Sequence, residues 1–320
     1  MVRSIGVMCF WAMLAVLPQQ AAAQSFPTRP IRLVVAFAPG GGTDILARIV
    51  AQAMGDDLGQ PVVVENKPGA GIQIATEYVA KAPADGYTLM MATTTHAIPA
   101  LYQNPRYDPE RDFSPVSLIA TAPMIILVSP TLAVSNVQEL IALAKQKPGT
   151  LNRATTVGGM PHLVGEMFRK KAGIDFVVVG YKGAGPAYPD LVSGRVHFMF
   201  DALSAGLGQV QMGQAKGIAV TSAKRAPTAP DIPTVAESGL PGFDAEAWYG
   251  VLAPAGTPPA AITRLNAAIR KAVAQPVVQE RLKGLGYTIT VNTPGEYSAF
   301  IKSEVDKWRT TVRDAGIKPQ

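Results

Sequence analysis

IRLVVAFAPGGGTDILARIVAQAMGDDL, residues 31–58, passes from an aliphatic, β-branched run through three consecutive glycines into apolar residues at helical spacing. The first part reads as a buried strand and Thr43 to Leu58 as an amphipathic helix. The alternation continues through PVVVEN (61–66), Ile72 to Lys81 and TLMMATT (88–94). This β, α, β, α, β order predicts a mostly parallel sheet covered by helices. A second series opens at MIILVSP (124–130), followed by a helix whose start is marked by Ser135 and Gln138 in capping-box spacing. It continues through RATTV (153–157), a helix from His162 to Lys171, FVVVGY (176–181), a helix from Pro186 to Ser193 and VHFMFDA (196–202), and GIAVTS (217–222) closes it.

Beyond a proline-rich stretch from Pro227 to Pro241, WYGVLAPAG (248–256) reads as another buried strand. Three helices follow, their starts marked by Thr257-Pro258, Pro276 and Thr293-Pro294-Gly295-Glu296. These helices need a surface to cover, and the economical arrangement returns them to the first sheet. The expectation is therefore an α/β protein of two lobes joined by two hinge crossings, near 123 and 248. The first lobe is discontinuous, 24–123 with 248–320, and the second is 124–247.

At the amino terminus, Arg3, the apolar run Ile5 to Leu17, Pro18 and Ala21-Ala22-Ala23 have the form of a secretory signal peptide spanning 1–23. Its apolar core is too short for a membrane span, so the expected product is a soluble periplasmic chain beginning near Gln24. Cys9, the single cysteine, lies within that core, which leaves the mature chain no thiol for a disulfide, a nucleophile or a metal. The composition, 48% hydrophobic and 16% charged over 320 residues, is that of an ordinary packed protein. The net charge is +6 with the basic residues scattered, so no nucleic-acid partner is expected.

The segment APGGGTD (38–44) joins a strand to a helix. Glycines let backbone approach a ligand, and a helix start offers unpaired N–H groups and positive potential, so the loop suits an anion. KPGAGI (67–72) repeats the arrangement at the same sheet edge. Neither is a phosphate loop, since no Gly-Lys-Ser/Thr follows, and 40–45 lacks the third spaced glycine of a dinucleotide fingerprint. No cofactor is expected. His96, His162 and His197 have no metal-ligand spacing, and no G-x-S-x-G elbow is present. These patterns argue for binding without catalysis, while a hydrolase assembled from distant Ser, His and Asp residues stays open.

Taken in order, FPTRPIRLVVAFAPGGGTDILAR, GQPVVVENKPGAG, KAPADGYTL, HLVGEMF, YKGAGPA, PDIPTVAESGLPGF and WYGVLAPAGTP closely resemble the tripartite tricarboxylate transporter substrate-binding family, the TctC or Bug receptors. The resemblance covers essentially the whole mature chain. It implies a type II periplasmic-binding-protein fold that captures a small carboxylate (an amino acid, a di- or tricarboxylate, or an aromatic acid) and a membrane permease as partner. The receptor is expected to be a monomer. A sensor that presents its ligand to a membrane kinase is the alternative within the same fold.

The resemblance also implies a site. Phe37 forms core or cleft wall; Pro39, Gly40, Gly41, Gly42, Thr43 and Asp44, with Gly69, Ala70 and Gly71, cradle one carboxylate. Thr93, Thr94 and Thr95 add hydroxyls from the same edge. The second lobe supplies Thr155, Thr156, Gly158, Gly159 and His162, then Tyr181, Lys182 and Gly183, and finally Asp201. His162 reads as a structural hydrogen-bonding residue or a proton shuttle. Lys182 is either solvated or directed at the carboxylate, and Asp201 either caps backbone amides or selects a ligand amine or hydroxyl. Trp248 and Tyr249 read as hinge packing or ligand stacking. One departure stands out: the family's G-x-G-S type turn is here T-V-G-G-M-P-H-L (156–163), without the serine and with Met160 and Pro161 added. This predicts either the loss of the second carboxylate contact or a less polar ligand end.

Overall fold

A computed structural model describes residues 26–99 and 104–314. The signal-peptide reading and Cys9 lie outside the described residues. Strand β1 (Ile31–Val35) buries its four aliphatic residues, leaving only Arg32 exposed, and pairs in parallel with β2 (Val62–Asn66) and β3 (Thr88–Thr93). Leu33 lies opposite both Val64 and Leu89. Helix α1 (Gly42–Leu58) returns along the sheet, burying Leu46, Val50 and Met54, and stops at Gly59, whose left-handed φ of 67° ends it. Helix α2 (Gln73–Ala80) covers the other face through Ala75 and Val79.

The chain then enters β4 (Phe113–Val128), a strand of 16 residues that serves two sheets. Residues 113–123 pair antiparallel with β9 (Glu246–Pro254), which also pairs with β3. Residues 124–128 pair with β7 (Phe198–Ala202) and β8 (Lys216–Val220). The second sheet continues from β7 to β5 (Asn152–Thr155) and β6 (Val177–Gly180), both in parallel register. Around it lie α3 (Val137–Gln146), α4 (Met160–Ala172), α5 (Tyr188–Ser193) and α6 (Leu203–Gln211).

The sequence reading began this strand eleven residues late, because FSPVSLIATAP carries two prolines and three hydroxyl residues. Pro115 is tolerated where the register shifts, and on that side of β4 side chains replace a neighbouring strand. Asn292 Oδ1 accepts from Leu118 N–H at 2.9 Å, and Asn266 Nδ2 donates to Val116 O at 2.8 Å. The α3 cap is also one residue later than expected. Asn136 Oδ1 accepts from Glu139 N–H at 2.9 Å, and the Glu139 carboxylate returns to Ser135 N–H at 2.7 Å.

Helices α7 (Pro259–Ala274) and α8 (Pro276–Gly284) do pack on the first sheet, burying Ile262, Leu265 and Leu282 against the α1 face. Between α8 and the last helix, the short β10 (Thr288–Ile289) pairs with β4. Helix α9 (Pro294–Asp314) departs from the expectation at its far end. Tyr297, Ile301 and Val305 lie beside Trp248, but Trp308 and Val312 enter the core of the second sheet. Glu304, buried between these groups, accepts hydrogen bonds from both indoles, Trp248 Nε1 at 3.0 Å and Trp308 Nε1 at 2.7 Å. A third tie therefore runs beside the two strand crossings. The crossings themselves are fastened by Thr221, whose hydroxyl accepts from Met124 N–H and donates to Ala245 O.

Candidate ligand-binding cleft

The carboxyl ends of β1 and β3 face those of β5 and β7 across a cleft with about 670 Å³ of space free of atoms, part of it continuous with solvent. From the first sheet it is lined by Phe37, Gly41, Gly42, Thr43, Thr93 and Thr95. From the second come Thr155, Thr156, Gly183 and Asp201. Helix α1 starts at Gly41 with no side-chain cap, so its first N–H groups stay available. The starts of α4 and α6 also reach the cleft, through Met160 and Pro161 and through Ala202, but Thr95 Oγ1 takes the Met160 N–H and Asp201 Oδ1 the Ala202 N–H. The Thr155 hydroxyl is buried with no hydrogen-bond partner. Such an orphan is costly unless something supplies the missing bond.

The two sides touch. Ala38 N–H donates to Lys182 O at 3.0 Å, and Met160 N–H donates to Thr95 Oγ1 at 2.9 Å. Tyr287 donates to Gly42 O at 2.7 Å and shares a hydrogen bond with Ser204 Oγ at 2.8 Å. Two of the glycines leave no room for a side chain. A Cβ on Gly42 would lie 2.5 Å from Ala202 Cβ, and one on Gly185 would lie 2.4 Å from Pro39 O.

Other expected site residues fall elsewhere. Pro39 and Gly40 are exposed at the rim. Asp44 is buried but turned to its own loop, accepting from Gly40 N–H at 3.2 Å, Arg48 Nε at 3.0 Å and Asn66 Nδ2 at 2.9 Å. Burial pushes its carboxyl up, but the bonds from Arg48, Asn66 and Gly40 outweigh that and hold it below the usual range. Thr94 accepts from Trp248 N–H at 2.9 Å, bracing the hinge strand. His162 Nδ1 accepts from Gly158 N–H at 3.2 Å, and burial, with the Arg153 charge, lowers its pKa to about 4. It sits behind the α4 start, which Gly159 caps through backbone alone.

Gly69, Ala70 and Gly71 line a second, more open cavity with Gly158, Tyr181 and Lys182. Only Thr156 borders both cavities. Tyr181 donates to Asp190 at 2.5 Å.

Sequence reasoning missed the apolar wall of Met124, Met199, Phe200, Ala187 and Ala247. Met124, Met199 and Phe200 read as strand core and Ala187 as part of a helix, and only the end of a strand at a sheet edge hints that a cleft opens there. Tyr249 is cleft wall, whereas Trp248 is hinge packing. Tyr188, which donates to Asp201 Oδ2, carried no local signal at all.

The model of the tripartite tricarboxylate transporter family receptor matches residues 46–317. The chain is 35% identical over 322 residues to protein BugT of Bordetella pertussis, covering 99% of each. Among solved structures it superposes on the periplasmic binding protein BugD with a TM-score of 0.89 at 37% identity, covering 92% of this chain and 100% of that one. The R. palustris protein Rpa4515, solved with adipate, matches with a TM-score of 0.89 at 37% identity over the same shares.

Proposed function

The chain belongs to the tripartite tricarboxylate transporter receptor family, and from that premise we propose that it is a periplasmic receptor that closes on a small carboxylate and leaves it chemically unchanged. Its lobes are 24–123 with 248–320, and 124–247. The α1 start, with Thr43 and Thr93, receives the carboxylate, and Thr155 and Thr156 complete the pocket from the other side. The observation that carries this reading is the orphaned, buried Thr155 hydroxyl lining a cleft into which an uncapped helix start also opens. Charged hydrogen bonds to such donors are strong without any basic side chain.

Two further observations support binding without turnover. His162 has its Nδ1 lone pair occupied and a pKa lowered to about 4, so it is a weak base. The residues lining the cleft include no cysteine and no second carboxyl group beside Asp201. Domain closure of this kind presents a new surface to a membrane partner, and a permease of the tripartite tricarboxylate type is that partner. The receptor acts as a monomer after removal of residues 1–23. No helix among the described residues is long and apolar enough to cross a membrane.

A thermal-shift screen of mono-, di- and tricarboxylates, amino acids and aromatic acids tests the proposal. A ligand at a hundred times its dissociation constant stabilises the native state by about 2.7 kcal/mol. At least one class is expected to raise Tm, with the compound recovered unaltered by mass analysis. No shift across the panel, or turnover of the compound, contradicts the reading.

A further inference from the structure

Asp201 is the only charged side chain among the residues that line the cleft. It is 5% exposed and forms no ion pair among the described residues. Oδ1 accepts from Ala202 N–H at 2.8 Å and Oδ2 from the Tyr188 hydroxyl. Burial pushes its pKa up to about 6, against the opposing pull of the Tyr188 and Ala202 bonds.

Among the described residues no neighbouring element pairs Asp201 with a cation. The titratable groups that face it are the phenols of Tyr188, Tyr249 and Tyr287, all raised by burial and neutral at physiological pH. On α5, Asp190 is taken by Tyr181 and Arg195. On α4, Glu166 is held by Arg153 and Arg169, with His162 alongside. On α1, Asp44 and Arg48 hold each other, and α6 has no charged side chain.

The rest of the far wall is apolar: Met124, Met160, Met199, Phe200 and Pro161. Three methionines there make a wall that adapts to the shape of what it covers. A second carboxylate pressed into this end would meet a buried negative charge in a low-dielectric pocket whose lining holds no cationic side chain. An N–H or O–H group would instead donate to a carboxylate that still has lone pairs to offer.

We propose that Asp201 determines ligand specificity by requiring a hydrogen-bond donor: the ligand is a monocarboxylate with an apolar body and an N–H or O–H group that reaches Asp201, in preference to a dicarboxylate of the same length. This rests on the carboxylate-receptor reading.

Isothermal titration with compounds that differ only at one end tests it. The aliphatic set is 6-aminohexanoate, 6-hydroxyhexanoate and adipate, and the aromatic set is 4-hydroxybenzoate, 4-aminobenzoate, terephthalate and 4-sulfobenzoate. At pH 7.5 the best donor-ended acid of a set is expected to bind at least about tenfold tighter than its dianionic counterpart, the scale of one charge-assisted hydrogen bond. Asp201→Asn is expected to close that gap by weakening the donor-ended acids and strengthening the dianions. A measurement on the unmodified protein needs no variant to fold. Lowering the pH to 5.5, below the raised pKa of about 6, protonates most of the Asp201 carboxyl population, and the affinity for 4-sulfobenzoate, whose two charges do not change over this range, is expected to rise while that for the donor-ended acids falls.

Dianions that bind more tightly than donor-ended acids at pH 7.5, or an affinity for 4-sulfobenzoate that is flat or falls on acidification, overturn the inference and leave the receptor reading intact. An order of preference unchanged in Asp201→Asn also overturns it. If none of the compounds binds, the carboxylate reading fails and this inference fails with it.

Discussion

The two glycine-rich loops, 38–44 and 67–72, look interchangeable in sequence, and the fold treats them differently. Both leave a parallel strand at the same edge and both lead into a helix. The first is shaped by the opposite lobe: Ala38 donates to Lys182 O, and the Cα hydrogens of Gly42 stand where a side chain would strike Ala202 and Ser204. The second is shaped by its own helix. Its residues Gly69, Ala70 and Gly71 have φ of 141°, 48° and 74°, and a Cβ on Gly69 would lie 2.5 Å from Ile74 Cδ1. The first loop has a left-handed glycine too, Gly40 with φ of 88°, but its Gly42 permits close approach across the cleft, a use the second loop lacks. Only that use makes a pocket that closes.

The difference can be broken most sharply at Gly42. Gly42→Val is expected to reduce carboxylate affinity by more than about 100-fold in calorimetry, since overpacking of this kind costs about 1–3 kcal/mol before any contact with ligand is lost. Next comes Gly185, whose α-carbon faces Pro39 O. Gly185→Ala is expected to weaken binding by about tenfold through obstruction of closure, and small-angle scattering with ligand should show a larger radius of gyration than the parent.

A third change sharpens the chemistry of the closed cavity. Thr155→Val removes a hydroxyl with no partner in the protein, so ligand affinity should fall by about fivefold while the Tm of the unliganded protein holds or rises. A fall in Tm without loss of affinity would make Thr155 structural. The smallest effect is expected in the second loop. Ala70→Gly relieves a left-handed alanine, and stability should change by no more than about 1 kcal/mol in denaturant titration with binding unaltered. A large loss of affinity there would put the second loop in the site.

Much of the fold was legible because local pattern and tertiary placement agree. The aliphatic run of β1, the α1 periodicity and the prolines that open α7, α8 and α9 all mean in the structure what they mean in sequence. The start of β4 was illegible because the backbone beside Pro115 is satisfied by side chains of Asn266 and Asn292, about 150 and 170 residues away. The α1 side of the cleft was legible for a similar reason: a strand, glycines and a helix start are contiguous in sequence. The far end was not. Asp201 was visible as a polar residue closing an apolar strand, but its setting depends on Tyr188, Tyr249 and Tyr287, which come from three other segments. Asp44 misled for the opposite reason. An acidic residue at a helix start suits a site or a cap equally in sequence, and Arg48 one turn later takes it.

The most direct measurement of the central claim is backbone amide exchange with and without whichever carboxylate the thermal screen returns. The account predicts that ligand slows exchange across 40–44 and 155–161 together, at the α1 start and the facing turn, while the amides of 69–71 exchange at nearly their unliganded rate. Protection centred on 69–71, with 40–44 unchanged, would contradict it.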